Sequence, residues 1–345
     1  MCVMNLTKGI GIALGVAALG ACAEGIEPPT ATTMVEVRDG LTFDFGIEGL
    51  CKGSDEPTCD TPGQIPLDYP KVNVTLKPFA IDQDEVTNFQ YEYCVAKGVC
   101  TEPQFGNAPD QTQFEYYGTA RFHDFPVVNV TWDQADAYCK FVGKRLPSEM
   151  EWERVAKGAG AAREYPVEGD FASADGCEGK LNAVGCGGDQ KMERTGNSSN
   201  DFVIEGGKKI YHLAANASEW TDTWWDLDVS CQGDAPCTLE ADCAGNAACI
   251  GQAKSCDACA TLSSGECHYM CEGFSRKTIL CTAFSGTGLD PATVLPGSGS
   301  DKAVRGGSVS TTRNQRCFLK SWYREQRSAK TFLGNSLGFR CAKGL

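Results

Sequence analysis

A chain of 345 residues with 45 acidic and 31 basic side chains carries a net charge of −14. That balance disfavours a nucleic-acid partner and broad electrostatic adhesion to anionic lipid, while leaving room for an oxygen-ligated cation such as calcium. Twenty cysteines are far too many for a reducing compartment.

Residues 1–21 read as a lipoprotein signal peptide. Lys8 precedes an apolar run, Gly9 to Leu19, that is too short to span a bilayer comfortably. The run ends in Leu19-Gly20-Ala21-Cys22, which resembles a bacterial lipobox. Cleavage before Cys22 would leave that cysteine to carry lipid on its thiol and its new amino terminus. The expected location is the bacterial cell envelope, at the outer membrane, with Cys22 as the link to the lipid membrane. An ordinary secretory signal is the alternative. Residues 22–33, with Pro28 and Pro29 and little apolar content, read as a tether. The remaining span, 34–345, can bury the core of one large domain. Setting aside Cys2 and Cys22 leaves an even number of cysteines, the parity of a disulfide framework.

The alternation over Val72 to Leu76 predicts a strand, and Ile81 then leads into an Asp-Glu-Val-Thr stretch. Three helices are marked at both ends. Thr87 with Gln90 makes a capping pattern, and Gly98 stops the first. Thr131 with Gln134 opens the second, whose apolar positions Trp132, Ala135, Tyr138, Cys139 and Val142 keep helical spacing up to Gly143. Ser148 with Glu151, after Pro147, opens the third, which carries Met150, Trp152, Val155 and Ala156 and stops near Gly158. Ala303 to Val309 and Leu337 to Ala342 are strand-like, with Gly306 and Gly307 permitting close backbone approach. Few helices, short strands and many loops predict an irregular, loop-rich α+β domain.

Between residues 230 and 285 the composition changes. Nine cysteines, from Cys231 to Cys281, stand in a stretch poor in large apolar residues. Such a segment must be stapled, and it reads as a disulfide-rich insertion. An odd number of cysteines requires a partner outside, and Cys317 is the nearest in sequence. Cys256-x-x-Cys259 with Cys267-x-x-x-Cys271 also has zinc-like spacing, but an oxidising compartment favours disulfides. Proximity in sequence further suggests the pairs Cys51–Cys59, Cys94–Cys100 and Cys177–Cys186.

Five blocks lie in order along the chain: KPFAIDQDEVTNFQYEYC (77–94), VTWDQADAYCKFVGKRLPSEMEWERVAKGAG (130–160), AANASEWTDTWW (214–225), VRGGS (304–308) and GFRC (338–341). Together they resemble the formylglycine-generating, sulfatase-modifying family. The resemblance covers roughly residues 35–343 outside the insertion and implies a C-type-lectin-like fold. It implies a Cys139–Cys341 disulfide, consistent with Cys139 lying on the apolar face of its helix. It further implies an oxidase of protein cysteine with a copper-binding cysteine pair, three and eight residues beyond the Ser of RGGS. Those positions are Thr311 and Arg316, neither of which can be a copper thiolate. Cys317 lies one residue beyond the second, a lone thiol.

Other members of that family use non-haem iron, but His123, His212 and His268 are widely spaced and make no facial triad. His212 reads as a solvated or hydrogen-bonded loop residue. The resemblance implies a structural calcium at Asn216 and Glu219, and a second at Asn182 with Asp189; turn capping by Asn216 and Glu219 is the alternative. Trp220, Trp224, Trp225, Trp322 and Tyr323, with Arg305, Arg313 and Arg316, are residue types that recognition surfaces favour. Burial in the core is the competing reading, above all for Trp220 and Trp225. The expected function is that of a lipid-anchored, non-catalytic domain that binds an extracytoplasmic protein or glycan. The rival is a formylglycine-generating-type oxidase, or another oxidoreductase of the family, acting through Cys317.

Overall fold

The computed structural model describes residues 28–46, 72–108, 115–160, 163–168, 177–224, 301–328, 331 and 334–345. Cys22, the Cys51–Cys59 pair and the 230–285 insertion lie outside the described residues. Within them the domain is α+β, with three α-helices and eleven short strands.

The helices start where the capping residues place them. Helix α1 (Asn88–Ala96), α2 (Trp132–Phe141) and α3 (Glu149–Lys157) follow Thr87, Thr131 and Ser148, and each has a complete capping box. In each box the hydroxyl satisfies an N–H that the helix itself cannot reach. Gly158 ends α3 with φ of +75°, a conformation that side-chain-bearing residues rarely adopt.

The first sheet joins strands from both ends of the domain. Strand β4 (Phe79–Asp82) lies between β1 (Met34–Val37) and β11 (Ala342–Gly344), antiparallel to both. The antiparallel pair of β2 (Thr42–Phe45) and β3 (Val72–Thr75) packs on α3, and the hairpin of β5 (Phe202–Glu205) and β6 (Lys208–Tyr211) lies against β1. The second sheet has the order β10-β7-β8-β9, made of Leu337–Gly338, Ser218–Trp224, Asp301–Arg305 and Arg324–Ser328. Two expectations are corrected here. The strand expected over 303–309 ends at Arg305, because Gly306 turns the chain with φ of +74°. The strand expected over 337–342 is interrupted so that Arg340 can turn inward.

Among the described residues, two apolar clusters of fifteen buried residues each are the largest in the interior. One gathers Val35, Val37, Phe79, Ile81, Met150, Trp152 and Val155 between the first sheet and α3. The other gathers Tyr91, Tyr138, Trp220 and Phe339 around the disulfide Cys139–Cys341, which joins positions 202 residues apart. Closing a loop of that size contributes about 5 kcal/mol in the chain-entropy treatment. The expected local pairs Cys94–Cys100 and Cys177–Cys186 are also formed.

Helix α3 departs from a simple amphipathic pattern, because all nine of its residues are buried, charged ones included. Each charge has a partner from another part of the chain or from its own helix. Arg324 donates to Glu149 at 2.7 Å, Arg145 grips Glu151 through two bonds of 2.6 and 2.7 Å, and Arg154 bonds both oxygens of Glu205. Glu153 takes hydrogen bonds from Gly46 N and Arg305 Nη2, each at 2.6 Å, and pairs with Lys157. Removing one partner from such a set strands the other charge away from water. Glu153→Leu leaves Arg305 and Lys157 without their carboxylate, and the expected loss is about 3–5 kcal/mol of unfolding free energy. The check is the urea midpoint at unchanged m; a loss under about 1 kcal/mol would contradict this account.

Candidate functional site

The chain leaves β8 at Arg305 and runs through Gly306 and Gly307 against residues 213–216. A Cβ on Gly306 would lie 2.9 Å from the Leu213 carbonyl oxygen, and one on Gly307 would lie 2.6 Å from Leu319 Cδ2. Glycine is therefore required at both positions. Gly307 N donates to Ala214 O and Val309 N to Asn216 O, so the segment is stitched to the strand-entry loop before β7. On its other side, Val184 N and Gly185 N donate to the carbonyls of Val309 and Thr311, from a loop closed by Cys177–Cys186.

Beyond the glycines a tight turn forms. Ser308 N donates to Thr311 Oγ1 at 2.9 Å, Thr311 N donates back to Ser308 O at 2.9 Å, and Ser310 N donates to Ser308 Oγ. A 3-10 segment, Arg313–Leu319, follows, with Gln315 Oε1 accepting from Thr312. Phe318 stacks on Tyr323 with ring centroids 4.3 Å apart. These pieces surround a cleft of about 240 Å³ lined by Ser218, Ser308, Ser310, Thr311, Gln315, Phe318, Glu325 and Ser336, among others. Among the described residues, Glu325 is the one ionisable side chain in that lining, and it already has a partner. The described lining brings hydroxyls, a side-chain amide and an aromatic ring to the cleft: groups that suit a polar ligand.

A copper dithiolate does not fit this cleft. Thr311 occupies the first expected thiolate position, buried and bonded to Ser308, and Arg316 occupies the second. Cys317 is buried and disulfide-bonded, so it holds no free thiol. Among the described residues, no sulfur atom appears in the cleft lining.

Calcium at Asn216 and Glu219 does not fit either. Both oxygens of Glu219 accept from Arg340, at 2.6–3.0 Å, and Trp152 Nε1 donates to the same carboxylate at 2.9 Å. A guanidinium already fills the place a cation would take. Asn216, with φ of +73°, gives its amide to Glu85 and accepts from Glu193 N at 2.9 Å. Burial, reinforced by the nearby Glu219 charge, pushes the Glu85 carboxyl well above the usual range. Asn182 reaches Asn216 Oδ1 at 3.5 Å, while exposed Asp189 pairs with Lys191. Asn182 and Asp189 do share one polar hollow of about 360 Å³, with Glu193 and Asn200. Among the described residues, no three His, Cys, Asp or Glu side chains gather as a metal site.

The expected groove is corrected as well. Arg305 is fully buried, bonded to Glu153 and to the Ser321 and Trp322 carbonyls, with its guanidinium over the Trp152 ring. Trp322 is also buried, in a small cluster with Cys317 and Tyr323, and does not line the cleft. Trp220 is buried, its Nε1 donating to Val130 O. The side chains of Trp224, Trp225, Arg313 and Arg316 lie outside the described part. Gln315, Phe318 and Glu325, which do line the cleft, carry no motif, and counting from Ser308 to the lost thiolate positions was the signal that leads there. His212 is neither solvated nor well hydrogen-bonded. It is buried with φ of +57°, neither ring nitrogen makes a well-formed bond, and burial with Arg340 nearby pushes its pKa down to about 3.

Close to this loop, Asp201 accepts from Ala214 N and Ala215 N, yet full burial raises its pKa to about 7. A carboxyl whose folded pKa exceeds its unfolded value near 4 binds its proton more tightly in the folded state. Its contribution therefore favours folding more as pH falls from about 7 towards 4, by up to about 1.4 kcal/mol per pH unit. The difference in stability between the parent and Asp201→Asn, followed from pH 7 to pH 5 by urea unfolding, is expected to shift by more than about 1 kcal/mol in the parent's favour. A pH-independent difference would refute the assignment.

A model of the sulfatase-modifying factor enzyme 1-like domain matches residues 24–345. The formylglycine-generating enzyme of Bos taurus is 26% identical over 247 residues, covering 60% of this chain and 62% of that protein. The inactive C-alpha-formylglycine-generating enzyme 2 of Bos taurus is 28% identical over 249 residues, covering 57% of this chain and 79% of that protein. The match thus spans less than two thirds of the first relative's length. Among solved structures, PvdO from Pseudomonas aeruginosa aligns with a TM-score of 0.52 and 19% identity, over 93% of this chain and 100% of that one. At that identity the likeness is one of fold.

Proposed function

The chain belongs to the sulfatase-modifying factor enzyme 1-like family, and from that premise we propose that it is a non-catalytic member, exported and lipid-anchored at Cys22, whose cleft binds an extracytoplasmic protein or glycan. The observation that carries this reading is the loop after the two glycines: Thr311 and Arg316 stand where thiolates would be needed, and the neighbouring Cys317 is tied in a disulfide. Without soft sulfur ligands there is no place for Cu(I), and without it no oxidation of a substrate cysteine by that route. That the relatives include one named as inactive supports the possibility of scaffold without turnover. The oxidase reading needs a free thiol at Cys317, which the disulfide removes.

Purified protein supplied with Cu(I), oxygen and a cysteine-containing peptide is expected to form no aldehyde above the level of copper alone, as read by mass spectrometry. Aldehyde formation that is lost in Cys317→Ser would overturn the proposal. For binding, Phe318→Ala and Gln315→Ala are expected to weaken capture of a ligand selected from glycan and peptide arrays by roughly tenfold each, measured well below the unfolding midpoint of each variant so that the lost Phe318–Tyr323 stacking and Gln315 cap do not enter the comparison. Calcium, in this reading, belongs to the hollow of Asn182, Asp189 and Glu193 and not to Glu219. Chelation is expected to lower Tm by a few degrees in the parent and not in Asn182→Ala with Asp189→Ala. An equal fall in both, or none, would remove calcium from this hollow.

A further inference from the structure

One face of this acidic chain is locally basic. Glu36 on β1 stands among Arg38, Lys208 and Lys343, whose charges hold its carboxyl below the usual value. All four side chains are exposed, and so is Lys209. The hairpin of β5 and β6 completes the face. Its Val203, Glu205 and Ile210 point inward, which leaves Phe202 opposite Tyr211 and Ile204 opposite Lys209 on the outer side. Ile204 is 48% exposed, one of the few large apolar side chains so displayed, and Lys209 Nζ sits 3.8 Å above the Phe202 ring centroid. Among the described side chains, the acids near this face that are not buried are Glu36, Asp39 and Glu168. Glu168 accepts from Ile204 N and pairs with Arg163, while Glu205 is buried against Arg154. Arg38, Arg163, Lys208, Lys209 and Lys343 therefore outnumber the acids, against the sign of the whole chain.

The same face lies where the tether meets the domain. Gln83 N donates to Thr33 O, and Tyr211 N donates to Gln83 O, so a single residue separates the end of the hairpin from the start of β1. A Cβ on Gly206, at the hairpin turn, would lie 3.7 Å from Glu36 O.

We propose that the β5–β6 hairpin, with Arg38 and Lys343, is the face that the anchored protein rests on an anionic bilayer. The proposal depends on the lipid anchor at Cys22 in the reading above. A chain of net charge −14 is repelled by an anionic surface as a whole, so the patch supplies orientation and the anchor supplies attachment. Twelve tether residues extend at most about 40 Å, which keeps the patch close enough to enter the narrow zone, about 8 Å deep, where surface charge is felt. Lys209, with its ammonium over the Phe202 ring beside exposed Ile204, combines charge and apolar surface in the way that suits the headgroup boundary.

The test is lysine acylation footprinting of the full lipidated chain, reconstituted in vesicles of phosphatidylcholine with or without a minority of phosphatidylglycerol. With phosphatidylglycerol, Lys208, Lys209 and Lys343 are expected to react about threefold or more slowly, an effect removed by high salt. Lys140 and Lys191, exposed elsewhere, are expected to keep their rates. Lys208→Glu with Lys209→Glu is expected to abolish the protection of Lys343 while the chain stays vesicle-bound. Equal slowing at Lys140, slowing independent of phosphatidylglycerol, or no slowing at the hairpin would overturn the proposal. The mass of the N-terminal peptide reports lipid at Cys22 separately. If that lipid is missing, the anchor reading fails by itself, and the same footprint at low salt with excess anionic vesicles still decides whether this face is the one that meets lipid.

Discussion

The structure depends on how helix α3 is allowed to be buried. A nine-residue helix carrying Glu149, Glu151, Glu153, Arg154 and Lys157, with every residue inside, is untenable unless each charge meets an opposite one. The partners come from separated places: Arg145 after α2, Glu205 on the β5 hairpin, Arg305 at the end of β8 and Arg324 on β9. The helix thereby fixes the relative positions of both sheets and the hairpin. Such pairs add little net stability over an apolar core, but they penalise any packing that leaves one of them open.

The cleft inherits its position from that arrangement. Arg305 is held by Glu153 and by the Ser321 and Trp322 carbonyls, and the next two residues are the glycines that turn the chain into the cleft. The segment after the turn is clamped from both sides by backbone hydrogen bonds to residues 183–185 and 214–216. A second buried ion pair, Arg340 with Glu219, plays the same part below the loop. Its guanidinium also donates to the Tyr211 carbonyl at 2.7 Å, which ties the β6 hairpin to the end of the chain. Glu219 is thus committed to architecture, and that commitment is what removes it from cation binding.

Much of the architecture was legible because it rests on local rules. Thr87, Thr131 and Ser148 cap helices by a hydroxyl geometry that a partner three residues on suffices to reveal. The short disulfide loops follow from proximity, and Cys139–Cys341 followed from the family resemblance. What was not legible depends on direction. Arg305 and Trp322 have the composition of a binding surface, and only tertiary packing decides that they point inward. Strands of two to five residues, such as β1, β9 and β10, give periodicity too little length to show itself. The cleft residues Gln315 and Phe318 lie on a 3-10 segment with no repeat to mark a face.

That division explains why the family signature and the family chemistry come apart in this chain. Trp152 donates to Glu219, Glu219 holds Arg340, Trp220 donates to Val130 O, and Arg305 lies over Trp152. These signature residues bond to one another or to backbone in the interior, and none of the five lines the cleft. Within VRGGS, Val304, Gly306 and Gly307 serve both purposes: Val304 packs in the core and lines the cleft, and the close backbone approach at the glycines shapes the cleft and permits the packing beneath it. Thr311 bonds to Ser308 and is not one of these five, so a change there leaves these particular bonds in place. Selection for the fold can therefore hold the signature in place while the lining of the cleft changes freely, and the signature by itself reports the scaffold and not the reaction.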